Sequence, residues 1–281
     1  MNEPPPGAED LQAGLERLLP GITVEWVGQT GSTNADLLER ARAGAQAGPC
    51  LRVAERQTAG RGRLGRTWRS TPGASLTFSL AVELASMDLS GLSLAVGVAL
   101  ADALDPLRRT APPRLGLKWP NDLWLVDAGG GRKLGGVLIE TLPVRGSGRM
   151  VVIGVGLNVA PIDDSAGEFA SGCACWQEVE PGIGVATVLG RVAPALVTAL
   201  GRFERAGFGA FTAGHAARDL LHGRAVQWGT GAASAAGGEG VGAGVTPEGG
   251  LRLLQADGSI VTVSSGEVSV RLGAALPAWS C

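Results

Sequence analysis

Residues 54–68 read AERQTAGRGRLGRTW, and the rest of the chain organises itself around this stretch. Four arginines, Arg61, Arg63, Arg66 and Arg69, fall within nine residues, with glycines at 60, 62 and 65 between them. Residues 57–73 carry too much Gly and Arg to pack, so a loop is expected there. It is flanked by two strand-like runs, CLRVAE (50–55) and SLTFSLAVEL (75–84), which place it at the end of a sheet. Glycine lets a backbone approach a ligand closely, closely spaced N–H groups form an anion nest, and Arg offers paired donors to phosphate or carboxylate. A solvated basic turn, or a disordered Arg-Gly tract that binds RNA, is the plainer alternative. Such tracts are repetitive and sit in low-complexity tails; this one is single, lies between strands and ends in Trp68. The GxxxxGK[ST] spacing of a nucleotide P-loop is missing.

Working outward, residues 8–19 have helical spacing and stop at Pro20-Gly21, and GITVEWV (21–27) reads as a strand. Ser32-Thr33 caps a helix over NADLLERARAG (34–44), which Gly44 closes. LSLAVGVALADAL (92–104) is a buried helix ended by Pro106. Short strands follow in RLGLKW (114–119), DLWLV (122–126), KLGGVLIET (133–141) and MVVIGVGLNV (150–159), with DAGGGR (127–132) as a hairpin turn. Residues 183–205 and 208–218 read as helices. After residue 222 the texture changes to short strands, RAVQW, EGVGAGVT, GLRLLQ, SIVTVSS and VSVRL, with PEGG and ADG as turns. Residues 229–238 are low in complexity and are expected to be a flexible connection. The fold class is therefore α+β: a mixed sheet with flanking helices over 1–220 and a small all-β unit over 221–281.

Among 281 residues, 45% are hydrophobic and mean hydropathy is +0.19, enough for a real core. A net charge of −2 speaks against a polyanion-binding surface, so no DNA partner is expected. The sequence has no run of about 18 apolar residues, so no membrane partner is expected either. The N-terminus lacks the basic start and apolar stretch of a signal peptide, and Cys50, Cys173, Cys175 and Cys281 lack CxxC spacing, so a cytoplasmic location is expected. The most useful imbalance is 22 arginines against two lysines, Lys118 and Lys133, with four asparagines and no tyrosine. Where Arg is the default cation, a retained Lys or Asn marks a place that needs a compact ammonium or a carboxamide.

Three such places stand out. LKWPNDLWL (117–125) sets Lys118, Asn121 and Asp122 around Pro120, which suits Mg2+ or a nucleotide, or else a polar Asx turn. GRKLGGVLIE (131–140) carries Lys133 into a strand, where a lone ammonium would need a bound carboxylate or phosphate; the alternative is a hairpin-end lysine in solvent. Its Gly135-Gly136 pair implies a close approach to the backbone. VVIGVGLNVAP (151–161) is apolar except for Asn158, whose buried amide needs backbone or ligand partners.

GRGRLGRTW, KWPND, RKLGGVLIE and GVGLNV, with STN at 32–34, occur in one order and register, and together they resemble the biotin–protein ligase family over residues 22–160. The β-rich tail, 222–272, is similar to that family's SH3-like C-terminal domain. The resemblance implies a catalytic domain of the class II aminoacyl-tRNA synthetase and biotin ligase type. It also implies a two-step reaction: biotin and Mg·ATP give biotinyl-5′-AMP, and a lysine of a biotin carboxyl-carrier domain then takes the biotin. By similarity, biotin would be held by Ser32, Thr33, Asn34, Gln57, Gly60, Arg61, Gly62, Arg63, Lys133, Gly136 and Gly154. ATP and the adenylate would meet Arg61, Arg63, Arg66, Trp68, Asn121, Lys133 and Asn158, and Asp122 would take Mg2+. Lys133, Arg61 and Arg63 are the implied catalytic groups, in a monomer or homodimer. Many family members carry an N-terminal winged helix. Here the first core strand starts near residue 22, so repressor function is expected to be absent. The DAGGG hairpin before Lys133 is longer than the family's. A lipoate–protein ligase of the same superfamily and a non-catalytic biotin or nucleotide binder are the competing readings.

Overall fold

The computed structural model describes residues 5–46, 48–85, 88–109, 111–127, 131–144, 148–162, 172–230, 237–264 and 268–272. The chain runs α1 (Ala8–Leu18), β1 (Thr23–Thr30), α2 (Thr33–Arg42), β2 (Cys50–Gln57), β3 (Ser75–Leu84), α3 (Leu92–Leu104), β4 (Leu115–Lys118), β5 (Asp122–Leu125), β6 (Arg132–Pro143), β7 (Arg149–Asn158), α4 (Val185–Ala206), α5 (Thr212–Ala216), β8 (Ala225–Thr230), β9 (Gly237–Val245), β10 (Leu251–Leu254), β11 (Ile260–Val263) and β12 (Val268–Leu272). The first seven strands form one mixed sheet in the order β1-β2-β3-β7-β6-β5-β4, with only β1 and β2 parallel, and the last five form a separate antiparallel sheet, β11-β10-β9-β8-β12. The α+β class read from the sequence is the one observed.

Period-two alternation explains how the large sheet buries one face and keeps the other polar. Along β3, Leu76, Phe78 and Leu80 point into the main core, as do Val151, Ile153, Val155 and Leu157 of β7. That core is completed by α3, α4 and Leu15 of α1. The intervening residues face α2 instead. There Leu37 and Leu38 pack on Cys50, Ala81, Met150 and Val152 as a second, small cluster. Beyond it the same face carries Ser75, Thr77 and Ser79 on β3 and Gly154, Gly156 and Asn158 on β7.

Helix α4 has 22 residues and a hydropathy of 1.3, long and apolar enough to cross a membrane. Its Val188, Leu189, Val192, Leu196 and Leu200 lie in the main core instead. Pro194 sits inside it, and its carbonyl accepts the Thr198 hydroxyl at 2.9 Å. The expected helix over 208–218 is broken into a 3-10 turn, Phe208–Phe211, and the short α5. The flexible connection expected over 229–238 is also shorter than read. Residues 229–230 close β8 and 237–238 open β9, pairing Gly229 with Gly237, while 231–236 lie outside the described residues.

The two sheets are tied through the KWPND segment. Trp119 Nε1 donates to Gly249 O, in the β9–β10 turn, at 2.9 Å, while the neighbouring Leu117 N–H donates to Arg218 O, ahead of β8, at 2.7 Å. Arg218 itself is buried and donates to Asp102 at 2.9 Å and to Leu115 O at 3.0 Å. Trp119→Phe removes the N–H together with the five-membered ring that carries it, leaving a buried carbonyl unpaired beside a void. The expected loss is about 2–4 kcal/mol, read as a lower urea midpoint.

His215 of α5 is buried edge-on to Phe208, with ring centroids 6.0 Å apart. Burial pushes its imidazole below the usual range, and the charge of Asp219 only partly opposes this. The folded state therefore holds the neutral ring while the unfolded chain takes up a proton near pH 6.5. Stability from this group is present above that pH and is lost as pH falls below it. Urea midpoints of the native chain should drop between pH 7 and 5 more steeply than those of His215→Leu; parallel curves would contradict this.

Candidate active site

The floor is the polar half of the sheet face. In register, Ser75 faces Asn158, Thr77 faces Gly156 and Ser79 faces Gly154. Across the next strand Gly156 faces Gly136, which in turn faces Asp122 of β5. Two of these glycines are required by what lies on them. A Cβ at Gly154 would meet the Asn34 carboxamide, and one at Gly156 would come within 2.5 Å of Trp68 Cζ2 and 2.8 Å of its Nε1. Both side chains pack closely against bare backbone.

One end of this floor is a chain of hydrogen bonds starting at the N-terminus of α2, where Ser32 is the cap and its hydroxyl faces Ala35 N at 3.5 Å. Gln57 Oε1 accepts from the Thr33 N–H at 2.8 Å, and the Gln57 N–H donates to Ser70 Oγ at 2.7 Å. Thr33 Oγ1 lies 2.6 Å from Ser79 Oγ, Ser79 Oγ donates to Asn34 Oδ1 at 2.5 Å, and Asn34 Nδ2 donates to Glu140 Oε2 at 2.8 Å. Thr33, Asn34 and Ser79 are buried.

The other end is charged. The segment 57–73, expected not to pack, instead folds as a small hairpin: Arg61 pairs with Thr67, Trp68 N–H donates to Gly60 O at 2.9 Å, and Gly62 N–H donates to Arg66 O at 2.7 Å. Its tip turns at Leu64 (φ 57°) and Gly65 (φ 72°), and Trp68 anchors it on Gly156. Arg61 and Arg66 are exposed, whereas Arg63 is half-buried. Burial draws the Arg63 guanidinium below its usual value, the Asp122 carboxylate raises it and Arg66 lowers it, so Arg63 feels both charges. Below the hairpin Lys133 Nζ donates to Asp122 Oδ1 at 2.7 Å. Lys133 is thus not the unpartnered ammonium that its strand position suggested.

Asn121 donates from its side-chain nitrogen to Val137 O at 2.8 Å, and its backbone carbonyl accepts the Val137 N–H at 3.0 Å. Its amide nitrogen thereby helps to hold β6 in place. Asn158 is 3% exposed; its Nδ2 donates to Ala174 O at 3.1 Å and to Cys173 Sγ at 2.9 Å. Among the described residues its Oδ1 has no partner, nor has Trp68 Nε1. Lys118 pairs with Asp122 in the β4–β5 register, its ammonium 4.8 Å from the centre of the Trp124 ring.

Thr33, Asn34, Gln57 and Gly154 therefore come together at one end, and Arg63, Trp68, Asp122, Lys133, Gly136 and Asn158 gather towards the other. Gly60 and Gly62 shape the hairpin, and Ser32 caps the helix. Ser79 and Glu140 were missed in the sequence. The alternation Ser75, Thr77, Ser79 against Leu76, Phe78, Leu80 was the available signal for Ser79, since a strand buried on both faces has no other reason for three hydroxyls on one side. Among the described residues no group of three or more His, Cys, Asp or Glu side chains could cage a metal ion.

Two family models match the chain: the Biotin/lipoate A/B protein ligase family over residues 26–158 and the Biotin protein ligase C terminal domain over 222–271. The Biotin--[acetyl-CoA-carboxylase] ligase of Mycobacterium tuberculosis is 48% identical over 136 residues, which are 47% of this chain and 48% of that one. Bifunctional ligase/repressor BirA of Escherichia coli is 32% identical over 263 residues, covering 93% of this chain and 75% of its own length. Among solved structures, the biotin protein ligase from Aquifex aeolicus in complex with biotin and ATP superposes with a TM-score of 0.71 at 28% identity, covering 89% of this chain and 99% of that one. With both units of the fold, the sequence of nearly the whole chain and a glycine-floored site in agreement, the chain belongs to the biotin–protein ligase family.

Proposed function

We propose that this chain activates biotin with ATP as biotinyl-5′-AMP and transfers the biotin to a lysine of a carboxyl-carrier domain. The observation that carries the reading is the two-ended floor: a buried hydroxyl and carboxamide chain at one end, and Arg63, Lys133 and two orphaned polar atoms, Asn158 Oδ1 and Trp68 Nε1, at the other. A flat ureido head with an acidic tail suits the first end and the path to the second. A nucleotide brings a donor for Asn158 Oδ1, an acceptor for Trp68 Nε1 and negative charge for Arg63 and Lys133.

In the first step biotin's carboxylate attacks the α-phosphorus and pyrophosphate leaves. In the second, the acceptor amine attacks the biotinyl carbonyl and AMP leaves. Negative charge grows first on phosphorus oxygens and then on a tetrahedral carbon. Arg63 and Lys133 would meet both, and the reaction needs no covalent nucleophile from the chain. Arg61 and Arg66, exposed on the hairpin, would close on the phosphates, and the hairpin would shield the anhydride from water. A single carboxylate fits a Mg2+ ion that arrives on ATP rather than one caged by protein. Asp122 would hold it, and the ion would neutralise phosphate charge. With the phosphates bound, Lys133 would exchange its Asp122 partner for them.

ATP–pyrophosphate exchange dependent on biotin and not on lipoate, with mass spectrometry of a carrier domain gaining one biotin, is the expected result. Exchange driven by lipoate, or none with biotin, would overturn the reading.

A further inference from the structure

We infer that Glu140 is a positioning residue that fixes the hydrogen-bond polarity of the biotin end of the site, acting through Asn34 and Ser79. A carboxylate only accepts. With Glu140 Oε2 2.8 Å from the Asn34 amide nitrogen, the Asn34 NH2 must face Glu140, and its Oδ1 must face Ser79. Ser79 has one proton, and at 2.5 Å it gives that proton to Asn34 Oδ1. Its oxygen must then accept from Thr33, 2.6 Å away, a closer acceptor for the Thr33 hydroxyl proton than Gln57 Oε1 at 3.1 Å. The backbone N–H of Thr33 holds Gln57 Oε1 at 2.8 Å, which turns the Gln57 NH2 the other way, towards Gly60. The Glu140 carboxylate at 2.8 Å, with the longer contact to Leu138 O at 3.4 Å, therefore sets the direction of the row from its far end. The site end of the row is left with a lone pair on the Thr33 hydroxyl and a donor on Gln57, with Ser79 buried behind them.

A ureido group has two N–H donors and one carbonyl acceptor, so this polarity matters to it. If residue 140 could also donate, Asn34 could flip, Ser79 and Thr33 would reverse, and lone pairs would be replaced by protons. Asn34 cannot move away from this choice. It is 3% exposed and lies against bare Gly154, while Ser79 is 0% exposed, so no solvent relieves a wrong orientation.

This rests on the biotin reading above, and the test separates the two. Biotin and ATP KM values are measured by ATP–pyrophosphate exchange for the native chain, Glu140→Gln, Ser79→Ala and the double variant. A native chain with no biotin-dependent exchange counts against the function, not against the relay. Given native activity, the relay requires Glu140→Gln to raise the biotin KM by roughly tenfold, with ATP KM and melting temperature nearly unchanged. It also requires Ser79→Ala to raise the biotin KM and to abolish any further effect of Glu140→Gln. Glu140→Asp, which keeps the carboxylate, should lie closer to native than Glu140→Gln. A native biotin KM in Glu140→Gln, a parallel rise in both KM values with lost stability, or additive effects in the double variant would each overturn it. Should the Glu140→Gln chain fail to fold, an unchanged biotin KM in Ser79→Ala overturns it alone.

Discussion

Lys133→Ala is expected to slow adenylate formation by two to three decades while the chain stays folded. The ammonium donates to Asp122 at 2.7 Å beneath the Arg63 side of the hairpin, where a carboxylate and an α-phosphate would meet. A preplaced cation facing charge that develops in the transition state is worth about 3–4 kcal/mol, which is that many decades. The stability effect should be small. The side chains of Lys133 and Asp122 are 29% and 20% exposed, so water can take up the carboxylate left behind, and a partly exposed pair contributes about 1 kcal/mol or less. Lys133→Arg keeps the charge but substitutes a planar fork for a point charge, and should recover part of the rate. The measurements are single-turnover adenylation and a thermal melt. A native rate in Lys133→Ala would remove Lys133 from the chemistry.

The second large effect is steric. Gly156→Ala places a Cβ inside the Trp68 indole, 2.5 Å from Cζ2 and 2.8 Å from Nε1, and a rigid ring has no way to give except by moving the hairpin that it anchors. Arg63 travels with it. Displacing a clamp by about 1 Å costs on the order of 100-fold in rate, so kcat/KM for ATP should fall by about that much. Gly190→Ala is the control. A Cβ at this exposed position of α4 meets nothing within 4 Å, and alanine favours a helix by about 1 kcal/mol, so this variant should be slightly more stable and fully active. Equal activity in the two alanine variants would show that Trp68 does not hold the hairpin in its working place.

How much of this was legible in the sequence differs from element to element. The strands around 50–57 and 149–158, the cap at Ser32 and the stop of α3 before Pro106 depend on neighbours within a few residues, and each was read close to its observed place. Lys133, Asp122 and Asn158 could be picked out because Lys and Asn are rare in an arginine-rich chain. The roles of several chosen residues could not be read the same way. Asn121 looked available to a ligand, yet its carboxamide goes to Val137 O, 16 residues on, because β5 and β6 are paired there. Segment 57–73 looked unable to pack, yet Trp68 finds a floor on β7.

The order of helices and strands, the change to all-β texture after residue 222 and the motifs that name the family are local patterns of period, cap and turn, and so can be read along the chain. Which atoms remain for a ligand depends instead on long-range packing. Ser79 meets Asn34 across 45 residues, Asn34 meets Glu140 across 106, and Lys133 has Asp122 as its partner across a bulged strand pair. A donor or acceptor becomes available only after such distant partners have been assigned, and the packing of elements far apart in sequence, which no local pattern encodes, is what assigns them.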